Sequence, residues 1–120
     1  VLILKTLLVI EDDVDTIDII GSMYENTDYK VIKSLKKISV AEVAKINPNI
    51  IVIDHLLGDG FGGDLCLEIK ANPSTKHIPV ILYSASHHVE DLARVSCADA
   101  YISKPFDLYD FMSVVDGLAL

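Results

Sequence analysis

The sequence predicts an α/β fold: a doubly wound, five-stranded parallel sheet with five helices. Three observations predict it. Short apolar runs alternate strictly with segments of helical period. Runs such as Leu7-Leu8-Val9-Ile10 and Ile50-Ile51-Val52-Ile53 are apolar throughout, as in strands covered on both faces. Consecutive strands are separated by helix-length segments, and such units build parallel sheets through right-handed crossovers.

The first strand is Thr6–Glu11. Val14, Ile17, Gly21 and Tyr24 recur at helical spacing, so a helix covers roughly Val14–Asn26, with its apolar face on those positions. Tyr29–Leu35 is half polar and reads as an edge strand. Ser39 opens the second helix: Ser39 and Glu42 have capping-box spacing, Ile38 and Val43 form a hydrophobic staple, and Asn47-Pro48 ends it. Asn49–Asp54 is the third strand. Gly58-Asp59-Gly60-Phe61-Gly62-Gly63 is a glycine-rich loop, and a helix then runs from about Asp64 to Asn72-Pro73. Pro79–Ser84 is the fourth strand. Val89, Leu92, Ala93 and Ser96 mark a short helix, and Ala100–Ser103 is the fifth strand. Asp107 caps a last helix whose face carries Leu108, Phe111, Val115 and Leu118.

At 120 residues the chain is expected to form one domain, residues 1–120, and 51% hydrophobic content supports a core. A net charge of −8 and the lack of Lys or Arg from Pro105 onward argue against direct nucleic-acid binding. Cys66 and Cys97 lack metal-ligand spacing and read as small buried or half-buried thiols of a reducing compartment, so the expected location is cytoplasmic. The greasy opening Val1–Ile10 is interrupted by Lys5 and is too short to span a bilayer, which takes about 20 apolar residues. No membrane insertion is expected, and the segment reads as a buried strand. His55 and His77 are expected at the surface. His87 and His88 are adjacent, do not share a helix face, and are read as solvated.

Four strands end in a polar group: Glu11-Asp12-Asp13, Asp54, Ser84 and Lys104. The common order for a sheet of this size, 2-1-3-4-5, brings all four to the carboxyl edge and sets Asp12 and Asp54 at the switch point. Gathered acids repel unless a cation offsets them. Mg²⁺, a hard ion that usually takes one or two carboxylates, waters and a phosphoryl oxygen, suits the set. Asp12 and Asp54 can ligate it directly, and Glu11 can hold a coordinated water. Asp54 can act as nucleophile toward phosphorus, with Lys104 spreading the transferring charge and Ser84 donating to a phosphoryl oxygen.

These pieces resemble the receiver domains of two-component response regulators. The match lies in Leu8-Val9-Ile10-Glu11-Asp12-Asp13, Ile51-Val52-Ile53-Asp54, Pro79–Ala85 and Ala98–Phe106, in the family's order and spacing over nearly the whole chain. The resemblance implies a flavodoxin-like fold and a phosphorylation-dependent signalling switch, active as a phosphoacceptor rather than as an enzyme with turnover. It implies that Asp54 takes a phosphoryl group from a sensor histidine kinase or histidine phosphotransfer protein. Glu11, Asp12, Asp54 and the Leu56 backbone carbonyl would hold Mg²⁺, with Mn²⁺ as the alternative ion. Ser84 resembles the switch hydroxyl, Tyr101 the switch aromatic and Lys104 the phosphate-pairing lysine. The Lys104-Pro105 bond is expected to be cis.

The chain departs from the family pattern in three places. Gly58 stands where a proline is usual, so the loop Gly58–Gly63 is expected to be more flexible. Asp13 reads as a cap of the first helix. The last helix lacks the basic residues that DNA-binding members use in receiver dimers. Two rival readings exist. A haloacid-dehalogenase-like phosphatase also uses an Asp nucleophile with Mg²⁺, but needs a second Asp where Leu56 stands. A degenerate receiver would serve only as a binding module. The output partner is not legible.

Overall fold

The computed structural model describes residues 4–119. In chain order its elements are β1 Lys5–Ile10, α1 Val14–Met23, β2 Tyr29–Ser34, α2 Val40–Ile46, β3 Ile50–Asp54, β4 Leu56–Leu57, β5 Gly60–Phe61, α3 Gly62–Ala71, β6 Val80–Ser84, α4 Val89–Val95, β7 Ala100–Ser103 and α5 Leu108–Leu118. The main sheet is parallel, in the order β2-β1-β3-β6-β7. Without the small hairpin β4-β5 this is 2-1-3-4-5, the flavodoxin-like order expected. The strand reading of the opening segment holds from Lys5; Val1–Ile3 lie outside the described residues.

Alternation along the strands explains why their sequences are apolar throughout. Leu7, Val9, Val52, Ile81 and Tyr83 face α1 and α5, where they pack on Ile17, Ile20, Phe111 and Val115. Leu8, Ile10, Ile51, Ile53 and Val80 face α2 and α3, against Val43, Leu65, Cys66 and Ile69. Each fully buried large side chain contributes roughly 1.5–3 kcal/mol relative to exposure. No helix among the described residues is long and apolar enough to cross a membrane.

The caps follow the sequence. Asp13 accepts from the Thr16 N–H at 3.1 Å, Ser39 from the Glu42 N–H at 3.1 Å, and Asp107 from the Tyr109 N–H at 2.8 Å. Only the serine half of the capping box forms. Asn47 ends α2 in the left-handed region, at φ 50°. Helix α1 stops at Met23 rather than Asn26, with Tyr24 as its C-cap, and the chain turns at Asn26, at φ 61°.

Some burial expectations shift. Val14 and Leu108, placed on apolar helix faces, are 54% and 50% exposed. Each is the first residue of its helix, at the carboxyl rim of the sheet and beyond the strand side chains. The buried residues of α1 are Ile17 and Ile20, continued by Tyr24 at its C-cap. Cys66 is buried, but Cys97 is exposed just past α4, where the chain turns at φ 62°. The glycine-rich loop is not an open coil. Leu56 pairs with Phe61 and Leu57 with Gly60 in the antiparallel hairpin β4-β5, and α3 begins earlier than expected, at Gly62.

Candidate functional site

The register places the site. Ile10 pairs with Ile53, so the residues that follow, Glu11 and Asp54, emerge side by side at the carboxyl edge. Asp12 follows at the start of the turn into α1. Each of the three carboxyl groups offers an oxygen within 4.8 Å of the other two. Glu11 and Asp54 are buried and Asp12 is exposed, so the cluster opens to solvent on one side.

Lys104 arrives from the far side. Ser84 pairs with Ser103, and the Lys104 N–H donates to the Ser84 carbonyl at 2.9 Å, fixing the exit of β7 against that of β6. The Lys104-Pro105 bond is cis. The Lys104 ammonium lies 3.2 Å from Glu11 Oε1 and 3.1 Å from Asp54 Oδ2, bridging the two buried acids. One ammonium faces three carboxylates, so the cluster stays short of positive charge.

Burial pushes the Glu11 carboxyl up to about 7, from an ordinary 4.5; adjacency to Asp54 adds to this and Lys104 opposes it. Glu11 Oε2 is buried with no hydrogen-bond partner. An orphaned buried acceptor beside converging acids fits a hard divalent cation, which satisfies carboxylate oxygens and supplies the missing charge.

The surrounding loops aim these groups. Asp54 Oδ1 accepts from the Leu56 N–H at 3.3 Å, and Asp12 Oδ2 from the Gly58 N–H at 2.8 Å. Gly62 sits so close beneath Asp54 that a Cβ there would lie 2.1 Å from the Asp54 carbonyl oxygen. That is why α3 must open on glycine. Ser84 is buried, and its Oγ accepts from the Ser86 N–H at 3.1 Å.

The family model described as the response regulator receiver domain matches residues 7–116. The chain belongs to this receiver family. One relative is Histidine kinase P4 of Formosa agariphila, 32% identical over 112 residues, 89% of this chain but only 8% of that protein's length. A putative response regulator from Chloroflexus aurantiacus shares the fold at a TM-score of 0.86 and 22% identity, covering 97% of this chain and 98% of that one. The Mn²⁺-bound form of response regulator Rcp1 is 26% identical at a TM-score of 0.72, covering 94% of this chain and 90% of that one. Receivers serve as phosphoacceptor switches in two-component signalling.

The receiver fold brings the expected site residues Glu11, Asp12, Asp54 and Lys104 into one cluster. Ser84 lies at the same edge. Tyr101 stands apart on β7, in register with Leu82, and is 41% exposed. Leu56 is 60% exposed beside Asp54, an apolar side chain with no acid–base capacity, as the argument against the phosphatase rival requires. Asp13 serves as the α1 cap.

Three features of this receiver escaped the sequence reading. His55 is not a free surface residue: its Nδ1 accepts from the Gly63 N–H at 3.3 Å and its ring stacks on Phe61 at 5.4 Å. The Gly58 N–H donates to Asp12, a contact that the reading of the loop as glycine-rich and flexible did not include. Tyr83 places its ring 4.4 Å from the Lys104 ammonium. A tyrosine in an otherwise aliphatic buried strand is a usable signal, because its hydroxyl must reach a polar edge.

Proposed function

We propose that this receiver accepts a phosphoryl group on Asp54 from a phosphohistidine of a sensor histidine kinase or histidine phosphotransfer protein. The observation that carries the reading is Lys104 bridging Glu11 and Asp54 inside a cluster of three carboxyl groups. We assign Glu11, Asp12, Asp54 and the Leu56 carbonyl to Mg²⁺, with Mn²⁺ as a substitute. The orphaned Glu11 Oε2 and the Mn²⁺-bound relative support this. When bound, the ion screens the acids and stabilises charge on phosphoryl oxygens.

In the transfer, a carboxylate oxygen of Asp54 forms the new P–O bond as the P–N bond to the donor imidazole breaks. The imidazole keeps the bonding electron pair and leaves neutral, carrying a proton on its other nitrogen. Lys104 needs only a short move from Asp54 Oδ2 to a phosphoryl oxygen. Ser84 turns its hydroxyl from the Ser86 N–H to the phosphoryl group, and Tyr101 swings inward from its exposed position into the space released. The surface formed by α4, β7 and α5 then changes its affinity for an output partner, which is how a local charge event gains a distant readout. We read residues 1–120 as one such unit. Its two cysteines, both free among the described residues, fit a cytoplasmic location.

Asp54→Asn tests the assignment. The amide is nearly isosteric but not a comparable nucleophile, so Mg²⁺-dependent incorporation of acid-labile phosphate from acetyl phosphate disappears while the amide spectrum stays folded. Labelling of the variant at the wild-type rate rules Asp54 out as acceptor. A wild-type chain that takes no label is a degenerate receiver.

A further inference from the structure

Tyr83 is fully buried and is among the largest side chains that are. Its ring is held edge-on to Phe106 at 6.4 Å and to Phe111 at 6.5 Å, while those two rings lie 5.0 Å apart. Its backbone is equally fixed: Tyr83 is in register with Asp54, and its carbonyl accepts from the His55 N–H at 3.0 Å. An aromatic surface therefore stands in a set position beneath the acceptor.

The Lys104 ammonium sits 4.4 Å from the centre of that ring. Lysine has a flexible stem and a strongly hydrated head, and this one remains 23% exposed. The two carboxylates attract the ammonium at 3.2 and 3.1 Å. The ring supplies a fixed attractive face as well, where its quadrupole favours a cation.

The phenol completes the picture. Among the described residues, the buried side-chain polar atoms without a partner are the Tyr83 hydroxyl, Glu11 Oε2 and the Tyr24 hydroxyl. Burial raises the Tyr83 phenol above its ordinary range, and Glu11 is the charged neighbour that acts on it most. An orphaned donor and an orphaned acceptor thus share one corner of the site, unaligned. A hydrogen bond from the hydroxyl to Oε2 would remove two unsatisfied buried atoms at once.

We propose that Tyr83 is a positioning residue for phosphoryl transfer: its ring seats the Lys104 ammonium and its hydroxyl donates to Glu11 Oε2, so one buried side chain orients both groups. The role rests on the phosphoacceptor reading of Asp54. Tyr83 touches neither the phosphorus nor the attacking oxygen, and acts through the lysine and the acid. Small misplacements of such groups cost rate, because transfer depends on preset geometry.

Two variants test it. Tyr83→Met removes the ring at similar bulk. Labelling by acetyl phosphate slows about tenfold, and the Lys104 ε-methylene protons of the unlabelled protein lose their upfield ring-current shift. Tyr83→Phe keeps the ring and removes the donor. The upfield shift persists, and Mg²⁺ binds a few-fold more weakly in a titration without phosphodonor. Amide spectra establish folding; if Tyr83→Met does not fold, the Lys104 ε-methylene protons of the wild type and of Tyr83→Phe test the seat, and unshifted protons in both overturn it. Wild-type labelling with unmoved Lys104 protons in Tyr83→Met overturns the seat. Wild-type Mg²⁺ affinity in Tyr83→Phe overturns the role of the hydroxyl. A wild-type chain that takes no label overturns the Asp54 reading and this role with it, whereas equal labelling of all three chains overturns this role alone.

Discussion

Gly58 donates its backbone N–H to Asp12 Oδ2 at 2.8 Å, across 46 positions of sequence. The bond ties the hairpin after β3 to the acid after β1. Proline, usual in the family at this position, could not make it, because proline has no N–H. The glycine therefore anchors the loop to the site it flanks. A Cβ at Gly58 would itself lie 3.3 Å from Asp12 Oδ2, so the approach is close as well as bonded.

Asp12→Ala removes the acceptor. The Gly58 amide then exchanges its hydrogen faster and shifts in the amide spectrum, and apparent Mg²⁺ affinity falls roughly tenfold or more. The metal-free variant gains stability, since one of three mutually repelling carboxylates is gone. Mg²⁺ titration and urea unfolding read both effects. Unchanged Mg²⁺ affinity removes Asp12 from the metal set.

Glu11 sets a pH dependence. Its carboxyl sits at about 7 in the folded chain, raised chiefly by burial from 4.5. The folded state binds this proton more tightly than the unfolded state does. The stabilising contribution is full below about pH 4.5 and is lost as pH rises through 7. Metal-free protein should therefore unfold at a lower urea concentration at pH 8 than at pH 5. Mg²⁺ needs the carboxylate, so its apparent affinity drops about tenfold per pH unit below 7. Glu11→Gln flattens both profiles. If it leaves them unaltered, another group titrates.

Leu56 bears on the lifetime of the phosphoform. Hydrolysis needs a water aligned opposite the leaving carboxylate, and Leu56 offers that water neither donor nor acceptor. Its side chain is 60% exposed beside Asp54, where it can screen the phosphoryl group. Leu56→Asn supplies an orienting hydrogen bond and speeds phosphate loss about tenfold, roughly 1.4 kcal/mol of barrier. Decay of labelled protein after removal of acetyl phosphate measures it. A wild-type half-life of seconds, or equal decay in both chains, denies Leu56 this role.

Gly62→Ala tests the packing beneath the acceptor. The added methyl would lie 2.1 Å from the Asp54 carbonyl oxygen and 2.5 Å from Ile53 Cγ2, both inside contact distance. Overpacking of this kind costs about 1–3 kcal/mol. The urea midpoint should fall accordingly, and the amides of Ile53, Asp54 and His55 should shift. A midpoint equal to wild type would mean that α3 starts elsewhere.

The strands and the acids at their ends were legible because both follow from periodicity and from the 2-1-3-4-5 winding. Continuous runs such as Ile50–Ile53 state double-sided burial directly, and Asp12 and Asp54 meet by topology alone. What escaped depends on atoms that sequence pattern does not encode. The Gly58 N–H is a backbone donor, invisible in a residue's name. The hairpin formed by Leu56–Leu57 and Gly60–Phe61 lies within a glycine-rich run whose local signal is freedom. Tyr83 lies on β6 and Lys104 follows β7, and only the folded register brings the ring to the ammonium. Val14 and Leu108 obeyed helical spacing yet stayed exposed, because periodicity gives a face but not whether another element covers its first turn.

The ion pair between Lys104 and Glu11 joins residues 93 positions apart. A chain made from its amino end acquires both buried acids long before their counter-ion. Until position 104 emerges, a nascent sheet would enclose carboxylates with no ammonium to hold them, and it would lack the α5 residues Phe111 and Val115 that close one face. Synthesis and competence are thereby ordered. Core and charge balance are completed within one stretch, Lys104 to Val115, and a product truncated before it is denied both.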